Sequence, residues 1–505
     1  MDGLLIDLMA AASLGAIGLA LRLLLHLTGQ PGGIDAWYFL ASADALRATW
    51  RLPIHLPRYL LHEGPESYPP GFIVFLALLP SAWRRRGFWL VSPVLDTIHL
   101  LVLYAVVHHL TGSRGIALVA GLVYAVTPQL IAETRNLSPR AFGALLHTTA
   151  MLLLLAATAP GRSHGAAMGW SIAAVAVTAI VFLTHASSTA TLGLATAGLA
   201  VTTCDWRYAA VPLAGTVLAL TLAPRVARHT FGNYRHAVRF WRRNLRYRGA
   251  DELADSPIYG AVGMATSAGR WSRGRLAAAV RLMSVNPFVL PLAIVVAGRP
   301  SEHWTSGMLT WSVSVWLWAA EVTVVRPLRT LGPGFLYLKT MAFPTAFVVV
   351  TAAGPLVAAA SVVAALGSAA SLAVFFRHVW TRRTQHTAST PPDLAEIVGE
   401  LARLPGDGVL CLPTIYSDYV AYHSGKSVLW GGHSGDLTRF ESLFPVIRRP
   451  LDGLIVEYGI TWVILDLVFT DVDRVDLGAT LTLATRRGQF ALYRVERGNG
   501  RHVPP

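Results

Sequence analysis

Long apolar segments recur along most of the chain, and they constrain its fold more than any other feature. A helix needs about 20 mostly apolar residues to cross a bilayer. Residues 4–27 supply the first such stretch, and because no cleavage-site pattern follows it, we expect a retained span rather than a signal peptide. Only 14% of the residues are charged, whereas soluble domains carry roughly 25%. This composition excludes a water-soluble enzyme and predicts an integral membrane protein of the cell membrane.

The apolar stretches predict about eleven membrane-spanning helices. After the first, these are residues 88–110, 115–132, 140–159, 167–184, 187–203, 208–224, 281–297, 304–325, 337–353 and 355–376. A shorter stretch, residues 68–83, begins at two prolines, and its length favours a half-inserted or interfacial helix over a full span. Residues 1–376 are therefore the predicted membrane domain. Its polar exterior loops are predicted at 29–87, 133–139 and 225–280.

The composition changes after residue 376. Residues 377–392 form a polar linker that ends in two prolines, and residues 393–505 predict a small soluble α/β domain. Its predicted elements are an amphipathic helix at 394–404, strands at 409–412 and 460–466, and a closing hairpin that turns at Arg487-Gly488. The predicted fold class is thus a polytopic α-helical membrane protein with a C-terminal soluble α/β domain. The two cysteines lie in different kinds of segment, which excludes a disulfide framework and a cysteine zinc site.

Asp35 is the first candidate for chemistry, because it lies just beyond the first span on a segment whose Trp37 and Leu40 can rest on the bilayer surface. A carboxylate held at a lipid boundary is partly desolvated and becomes a better base. It can then take a proton from an acceptor hydroxyl as a new bond forms. The alternative is that Asp35 caps the N-terminus of an interfacial helix. From this residue alone, the cap is the stronger interpretation.

The order of these segments resembles the GT-C superfamily of polyprenyl-phosphate-dependent glycosyltransferases, which includes the catalytic subunit of oligosaccharyltransferase. The resemblance rests on the first span, Asp35 in IDAWYFL, the short apolar segment YPPGFIVFLALLPSAW, the second loop ETRNLSPRAFG, and the turn LTHASST around His185. A C-terminal α/β domain also fits this order. The resemblance covers the whole chain, is strongest over residues 1–224, and is one of order and spacing.

The resemblance implies that Asp35 is the catalytic acidic residue. It also implies an inverting transfer of a sugar from a lipid-phosphate donor to an acceptor hydroxyl or amide on the exterior face. Many metal-dependent members carry second-loop carboxylates where this chain has Arg140-Ala141-Phe142-Gly143, and Glu133 is the only carboxylate nearby. A divalent cation needs several oxygen ligands, so a metal-independent mechanism is favoured over a metal-dependent one. Arginines would then offset the charge of the leaving phosphate, and no metal ligand or cofactor is assigned.

Several polar residues at span ends are candidates for binding the donor phosphate. They are Arg135, Arg140, His185, Arg326, Arg329 and Lys339. The alternatives are that the basic residues extend to lipid headgroups and that His185 stabilises its turn. Glu133 and Asp96 are candidate supporting acidic residues, although an ion-paired structural role is the stronger interpretation for Asp96 because it lies inside a span.

The third loop holds the most concentrated positive charge of a chain whose net charge is +14. Residues 225–248 contain eight arginines and no acidic residue. At about 100° per residue, one stripe of a helix carries Arg228, Arg235, Arg239, Arg242 and Arg246, and a neighbouring stripe is apolar and aromatic. This pattern is typical of a helix that lies in the membrane interface over anionic headgroups. It would either gather the anionic donor or anchor the chain to membrane lipids, and the adjoining spans argue against nucleic acid as the partner.

The sequence leaves alternatives open for both the orientation of the chain in the membrane and its function. A cytoplasmic N-terminus places the three polar loops and the C-terminal domain outside, but the positive-inside rule opposes this because most loop arginines then lie outside. The leading function is a glycosyltransferase whose partners are a lipid-linked sugar donor and a glycan, lipid or protein acceptor. A lipid-linked-sugar transporter or flippase would also need many spans, although no internal repeat is visible. A non-catalytic binding subunit would fit the missing second-loop carboxylates.

Overall fold

The protein is mostly helical, with a small sheet near its C-terminus. The computed structural model describes residues 2–24, 26, 33, 35–56, 58–61, 66, 68–245, 282–298, 300–352, 354–383, 391–431, 439, 441, 451–468 and 480–496. The first helices are α1 (Asp2–Leu23), α2 (Ala36–Thr49), α3 (Gly71–Leu78), α4 (Val91–Thr111), α5 (Arg114–Ala125), α6 (Pro128–Thr134), α7 (Pro139–Thr158), α8 (His164–Phe182), α9 (Ala186–Thr203), α10 (Arg207–Leu222) and α11 (Pro224–Arg243). They are followed by α12 (Val289–Gly298), α13 (His303–Val324), α14 (Ala342–Thr351), α15 (Pro355–Arg383), α16 (Pro392–Leu401), α17 (Ser417–Ser424) and α18 (Leu451–Glu457).

Apolar helices of spanning length identify an integral membrane protein. Among the described residues, six helices are long and apolar enough to cross a bilayer, or up to eight if each of two bent pairs forms one span. In one pair α5 and α6 meet at 59°, and in the other α10 and α11 meet at 119°. The count of about eleven spans stays a prediction. The short segment that begins at two prolines forms only the eight-residue helix α3, which confirms that it is not a full span.

Two predicted spans begin differently from the sequence expectation. The span predicted at 281–297 contains a turn at residues 286–288, so that α12 has only ten residues. Pro287 explains the turn, because the residue before a proline is driven out of helical backbone geometry. The span predicted at 337–353 begins as a 3-10 helix, Gly334–Met341, before it continues as α14. At the other end of the membrane domain, α15 runs to Arg383 and makes the first part of the predicted linker helical.

A buried ion pair joins α1 to α4 inside the helical bundle. Arg22 Nε lies 2.5 Å from Asp96 Oδ2, and both side chains are fully buried. The hydroxyl of Tyr124, on α5, donates to the other carboxylate oxygen at 3.0 Å. Asp96 therefore has the partner that a charge inside a span requires.

Arg22→Met should destabilise the protein by about 3–5 kcal/mol, because it leaves the Asp96 carboxylate buried without a compensating charge. The double variant Arg22→Met/Asp96→Leu should recover most of this loss. Heating the detergent-solubilised protein and measuring the fraction that stays monodisperse tests both expectations. Equal thermal stability of the single variant and the wild type would show that the pair does not matter to folding.

The C-terminal sheet has four strands in the order β1-β2-β4-β3. They are β1 (Val409–Leu412), β2 (Trp462–Asp466), β3 (Thr480–Arg487) and β4 (Phe490–Glu496). β1 and β2 pair in parallel, and β4 pairs antiparallel with both β2 and β3. The β3–β4 turn contains Gly488 at φ +50°, a backbone conformation that glycine adopts without steric cost. The predicted strands and hairpin are confirmed.

The C-terminal domain packs on the first loop rather than standing apart from it. Backbone N–H groups of Leu60 and Leu61 donate to the carbonyls of Val428 and Leu429 at 2.9 and 3.0 Å. One hydrophobic core includes residues of α2 and α3 together with residues of α16, β1 and β2. The end of α11 also reaches this domain, because Arg243 Nη2 lies 2.5 Å from Glu441 Oε2. The first loop and α11 are therefore both in direct contact with the C-terminal domain.

Candidate active site

Asp35 directly precedes α2, at the position where the helix begins. Its backbone is already helical, at φ −64° and ψ −19°, and its side chain makes no capping hydrogen bond. The capping interpretation is therefore wrong, since a capping side chain stands on extended backbone and accepts from the first turn. The helix that carries Asp35 is held firmly, because Tyr38, Phe39 and Leu40 are buried in the core shared with the C-terminal domain.

The charges of Asp35 and Arg140 both act on Tyr68. Burial raises the pKa of the Tyr68 hydroxyl; the positive charge of Arg140 lowers it and the negative charge of Asp35 raises it further. Both charged groups are thus near enough to act on one phenol. Arg140 lies in the first turn of α7 and is half-buried. The phenol stays protonated at neutral pH and can donate a hydrogen bond, with the charges of a carboxylate and a guanidinium acting on it.

The segment before Asp35 is placed against the second loop. Gly33 has φ +68°, and a side chain there would overlap the Asn136 side chain, so the two loops meet in direct contact. Asn136 is held in turn by α4, because the hydroxyl of Ser92 donates to its carbonyl at 2.8 Å. The loop that carries Asp35 and the loop that leads to Arg140 are therefore fixed to each other.

His185 lies at the edge of this arrangement. The backbone N–H of Gly71, at the start of α3, donates to Leu183 O at 2.7 Å, which places the segment after Tyr68 on the turn between α8 and α9. His185 Nδ1 lies 2.9 Å from Ser187 Oγ and 3.3 Å from Ser188 Oγ within that turn. These bonds are what the turn-stabilising alternative predicts, whereas a role in phosphate binding stays a prediction.

Arg135 ends α6 and is half-buried, and burial lowers the pKa of its guanidinium. It lies close to His26: burial lowers the pKa of that imidazole, a backbone hydrogen bond with Thr134 raises it, and the charge of Arg135 lowers it further. A partly desolvated guanidinium binds an anion more strongly than one in open water. A role of Arg135 in binding a phosphate stays a prediction.

Glu133 and Lys339 pair with each other. Lys339 Nζ lies 3.5 Å from Glu133 Oε2, and both side chains are buried. Gln129 donates to Glu133 Oε1 at 3.0 Å and to the carbonyl of Phe335 at 2.5 Å. The single carboxylate of the second loop is therefore engaged by an ammonium and an amide.

The remaining predicted basic residues lie on the surface. Arg326 and Arg329 are exposed on a 3-10 helix, Arg326–Leu331, which packs against α11. The described arginines of the predicted stripe, Arg228, Arg235, Arg239 and Arg242, are all exposed on α11. Arg246 lies outside the described residues. Among the described residues, no group of three or more His, Cys, Asp or Glu side chains is arranged to hold a metal ion.

Several buried tyrosines and carboxylates of the first loop, α11 and the C-terminal domain could not be predicted from the sequence. Burial raises the pKa of Tyr234, on α11, and nearby Tyr68 raises it further. The hydroxyl of Tyr38 donates to Glu66 Oε2 at 2.8 Å in the interior of the first loop. Burial raises the pKa of Tyr59, and the negative charge of Asp418, in the C-terminal domain, raises it further. No motif marks these residues, because their partners are distant in sequence and meet only in the folded chain.

Comparison with solved structures identifies the fold. ArnT from Cupriavidus metallidurans in the apo state has 13% sequence identity with this chain and a TM-score of 0.58, and the match covers 96% of this chain and 97% of ArnT. The Archaeoglobus fulgidus oligosaccharyltransferase AglB, in complex with an inhibitory peptide and a dolichol-phosphate, has 10% identity and a TM-score of 0.53, with 98% of this chain and 75% of AglB covered. An Archaeoglobus fulgidus oligosaccharyltransferase complex with Zn and sulfate has 11% identity with this chain and a TM-score of 0.53. The match covers 91% of this chain and 68% of the oligosaccharyltransferase.

These solved structures are GT-C glycosyltransferases, and the chain has the GT-C fold. The resemblance in the order of spans and loops is thereby confirmed at the level of the fold. No protein-family model and no curated protein sequence matches the chain.

Proposed function

We propose that the protein is a membrane glycosyltransferase that transfers a sugar from a polyprenyl-phosphate-linked donor to an acceptor. The observation that carries the proposal is that the charges of Asp35 and Arg140 both act on Tyr68, in a GT-C fold where the first and second loops are in contact. A base and a cation around one phenol are the groups that such a transfer requires. The dolichol-phosphate in the AglB complex supports a lipid-phosphate donor for this chain as well.

In the proposed reaction, Asp35 takes the proton from the acceptor hydroxyl or amide as that acceptor atom bonds to the anomeric carbon of the sugar. The bond between this carbon and the phosphate oxygen breaks, and its electron pair leaves with the polyprenyl phosphate. One displacement of this kind inverts the anomeric configuration. Tyr68, as a protonated donor beside Asp35, helps to orient the carboxylate or the sugar.

Arg140 and Arg135 are the proposed partners of the leaving phosphate. Guanidinium groups bind phosphate oxygens in a fixed, two-pronged geometry, and a cation held in place before the reaction stabilises the charge as it develops. His185 lies near the same end of α7 and is proposed to contact the phosphate from the turn. Lys339, which pairs with Glu133, is proposed to attract the donor phosphate from deeper in the bundle. Arg326 and Arg329 are proposed to attract it from the surface. Asp96 is proposed to support the site only through its ion pair with Arg22.

We propose that the reaction takes place outside the cell, on the side that holds the first loop, α11 and the C-terminal domain. Their mutual contacts support a single catalytic compartment there. Residues 1–376 then form the membrane domain, residues 377–392 the linker, and residues 393–505 the domain that meets the acceptor. Transfer by full-length protein in liposomes, assayed with a donor whose sugar is labelled, tests the function. Label that crosses the bilayer but stays on the lipid would support a flippase instead.

Chelation should leave the transfer rate unchanged. Zn accompanies one of the structural neighbours, but around Asp35 a divalent cation would meet the charge of Arg140, and Glu133 is already engaged by Lys339. These residues do not offer the several oxygen ligands that such an ion needs. The rate is measured before and after dialysis against EDTA, with Mg²⁺, Mn²⁺ or Zn²⁺ added back as the control. A loss of transfer that one of these ions restores would overturn the metal-independent mechanism.

A further inference from the structure

The exposed side of α11 carries a concentrated positive charge, which we call the arginine face and define as Arg228, Arg235, Arg239 and Arg242. At about 100° per residue these four positions fall within an arc of about 60°. All four side chains are exposed, and the helix contains no acidic residue. Among the described residues, none of the four arginines forms an ion pair with a carboxylate. The arginine face therefore has positive charge to offer to a partner outside the chain.

The helix lies across the ends of neighbouring spans. It leaves α10 at 119°, the geometry of a helix that turns from a spanning direction to run along a surface. Its opposite side packs on the bundle, where Ala227 joins a small core with Phe182 of α8 and Ala219 of α10. The rings of Phe231 and Phe182 lie 5.7 Å apart, at the end of α8. The arginine face is thus at the level where spans end and lipid headgroups begin.

Apolar side chains border the charge. Phe231 has 52% of its surface exposed and Leu222, at the end of α10, has 76% exposed. On the helical wheel Phe231 lies at the edge of the arginine arc. Exposed apolar side chains next to arginines match a bilayer, which offers acyl chains and phosphate groups together. A soluble polyanion such as nucleic acid would leave Phe231 and Leu222 in water.

A second basic element continues the same surface. The 3-10 helix Arg326–Leu331 packs against α11 and carries two further exposed arginines, Arg326 and Arg329. The far end of α11 is fixed, because Glu441 accepts from Asn244 Nδ2 at 2.8 Å and pairs with Arg243. The surface is therefore held in place by protein contacts on both sides of the arginine face.

We propose that the arginine face, together with Arg326 and Arg329, binds the phosphate headgroups of anionic lipids in the surrounding bilayer. A basic residue near an anionic membrane surface contributes roughly 1 kcal/mol of attraction, so several together select anionic over zwitterionic lipid. This binding of bilayer lipid is distinct from the donor-phosphate role proposed above for Arg326 and Arg329, and it does not depend on catalysis. It gives the chain a preference for anionic membrane regions and keeps the first loop and the C-terminal domain close to the lipid surface.

Native mass spectrometry of the detergent-solubilised full chain, incubated with equal amounts of phosphatidylglycerol and phosphatidylcholine, tests the proposal. The variant is Arg235→Gln/Arg239→Gln/Arg242→Gln. The matched control, Arg403→Gln/Arg486→Gln/Arg494→Gln, removes the same charge from exposed positions of the C-terminal domain. A third variant, Arg235→Lys/Arg239→Lys/Arg242→Lys, keeps the charge. Size-exclusion profiles verify that each variant is folded.

The wild type, the lysine variant and the C-terminal control should retain phosphatidylglycerol in preference to phosphatidylcholine. The α11 glutamine variant should lower this preference by about tenfold or more. If the α11 glutamine variant and the C-terminal control prefer phosphatidylglycerol over phosphatidylcholine to the same degree, the proposal is overturned. A glutamine variant that keeps its preference for phosphatidylglycerol but no longer retains added polyprenyl phosphate would also overturn it, and would assign the arginine face to the donor.

Discussion

Asp35→Asn should lower the rate of sugar transfer by about 10²–10⁴-fold, the contribution expected of a positioned general base. The asparagine amide has nearly the shape of the carboxylate but cannot accept the acceptor's proton. Because the Asp35 side chain does not cap α2, the substitution removes no helix-capping bond, and the protein should still fold and accumulate. Donor binding should stay close to that of the wild type, since the proposed phosphate partners are untouched.

The matched control is Asp44→Asn, which removes a half-exposed carboxylate from the same helix. Its transfer rate should be close to the wild-type rate. Both variants are compared with labelled donor under single-turnover conditions, together with donor binding and the yield of monodisperse protein. Wild-type turnover by Asp35→Asn would remove Asp35 from the mechanism, whereas an equal loss in both variants would indicate a general disturbance of α2.

Arg140→Gln should lower the rate by about 10²–10³-fold, the loss measured when one preorganised stabilising donor is removed from a transition state. The glutamine amide is neutral and does not offset the charge that develops on the leaving phosphate. Arg140→Lys should recover only part of the rate, because an ammonium keeps the charge but lacks the planar fork of a guanidinium. The loss should appear mainly in kcat if the interaction strengthens as the phosphate leaves.

Arg162→Gln serves as the control, because Arg162 is an exposed arginine in the turn that follows the other end of α7. Steady-state kinetics with labelled donor separate kcat from KM for each variant. A raised KM with unchanged kcat would show that Arg140 binds the donor equally in the ground state and the transition state. Kinetics identical to the wild type would remove Arg140 from the site.

Local sequence patterns were sufficient to predict those elements whose structure depends mainly on their own residues. The strand at Val409–Leu412 has the predicted bounds, because a short apolar run between turn residues has few other ways to be buried. The short helix α3 was also predictable, since Pro69 and Pro70 precede its start and Pro80 closely follows its end. The fold class followed from hydropathy and segment order, both of which are visible in a single sequence.

Breaks within apolar runs were harder to see. Residues 115–132 are mostly apolar, yet the chain bends by 59° between α5 and α6, where Thr127 precedes Pro128. A proline inside an apolar run permits such a bend without requiring it. Whether the helix bends or stays straight depends on its packing against neighbouring helices. A single sequence does not contain that information.

The site was predictable only in part for the same reason. Asp35 stood out by its position, but its alternative as a helix cap could be rejected only from backbone geometry. Tyr68 carried no motif of its own, and its importance comes from lying near both Asp35 and Arg140. The contact between the first loop and the C-terminal domain joins residues as far apart as Arg58 and Ala421, whose hydrogen bond is 3.1 Å long. Periodicity and composition do not reveal contacts at that separation.

A structure of the full-length protein in nanodiscs with a polyprenyl phosphate bound tests the central claim most directly. We expect the phosphate to lie against the guanidinium of Arg140, with Asp35 facing it across a space large enough for a sugar and Tyr68 at its side. Arg135 should approach the same phosphate from the second loop. A phosphate bound only by the arginine face of α11, or at a site from which Asp35 and Arg140 are both distant, would contradict the proposed mechanism.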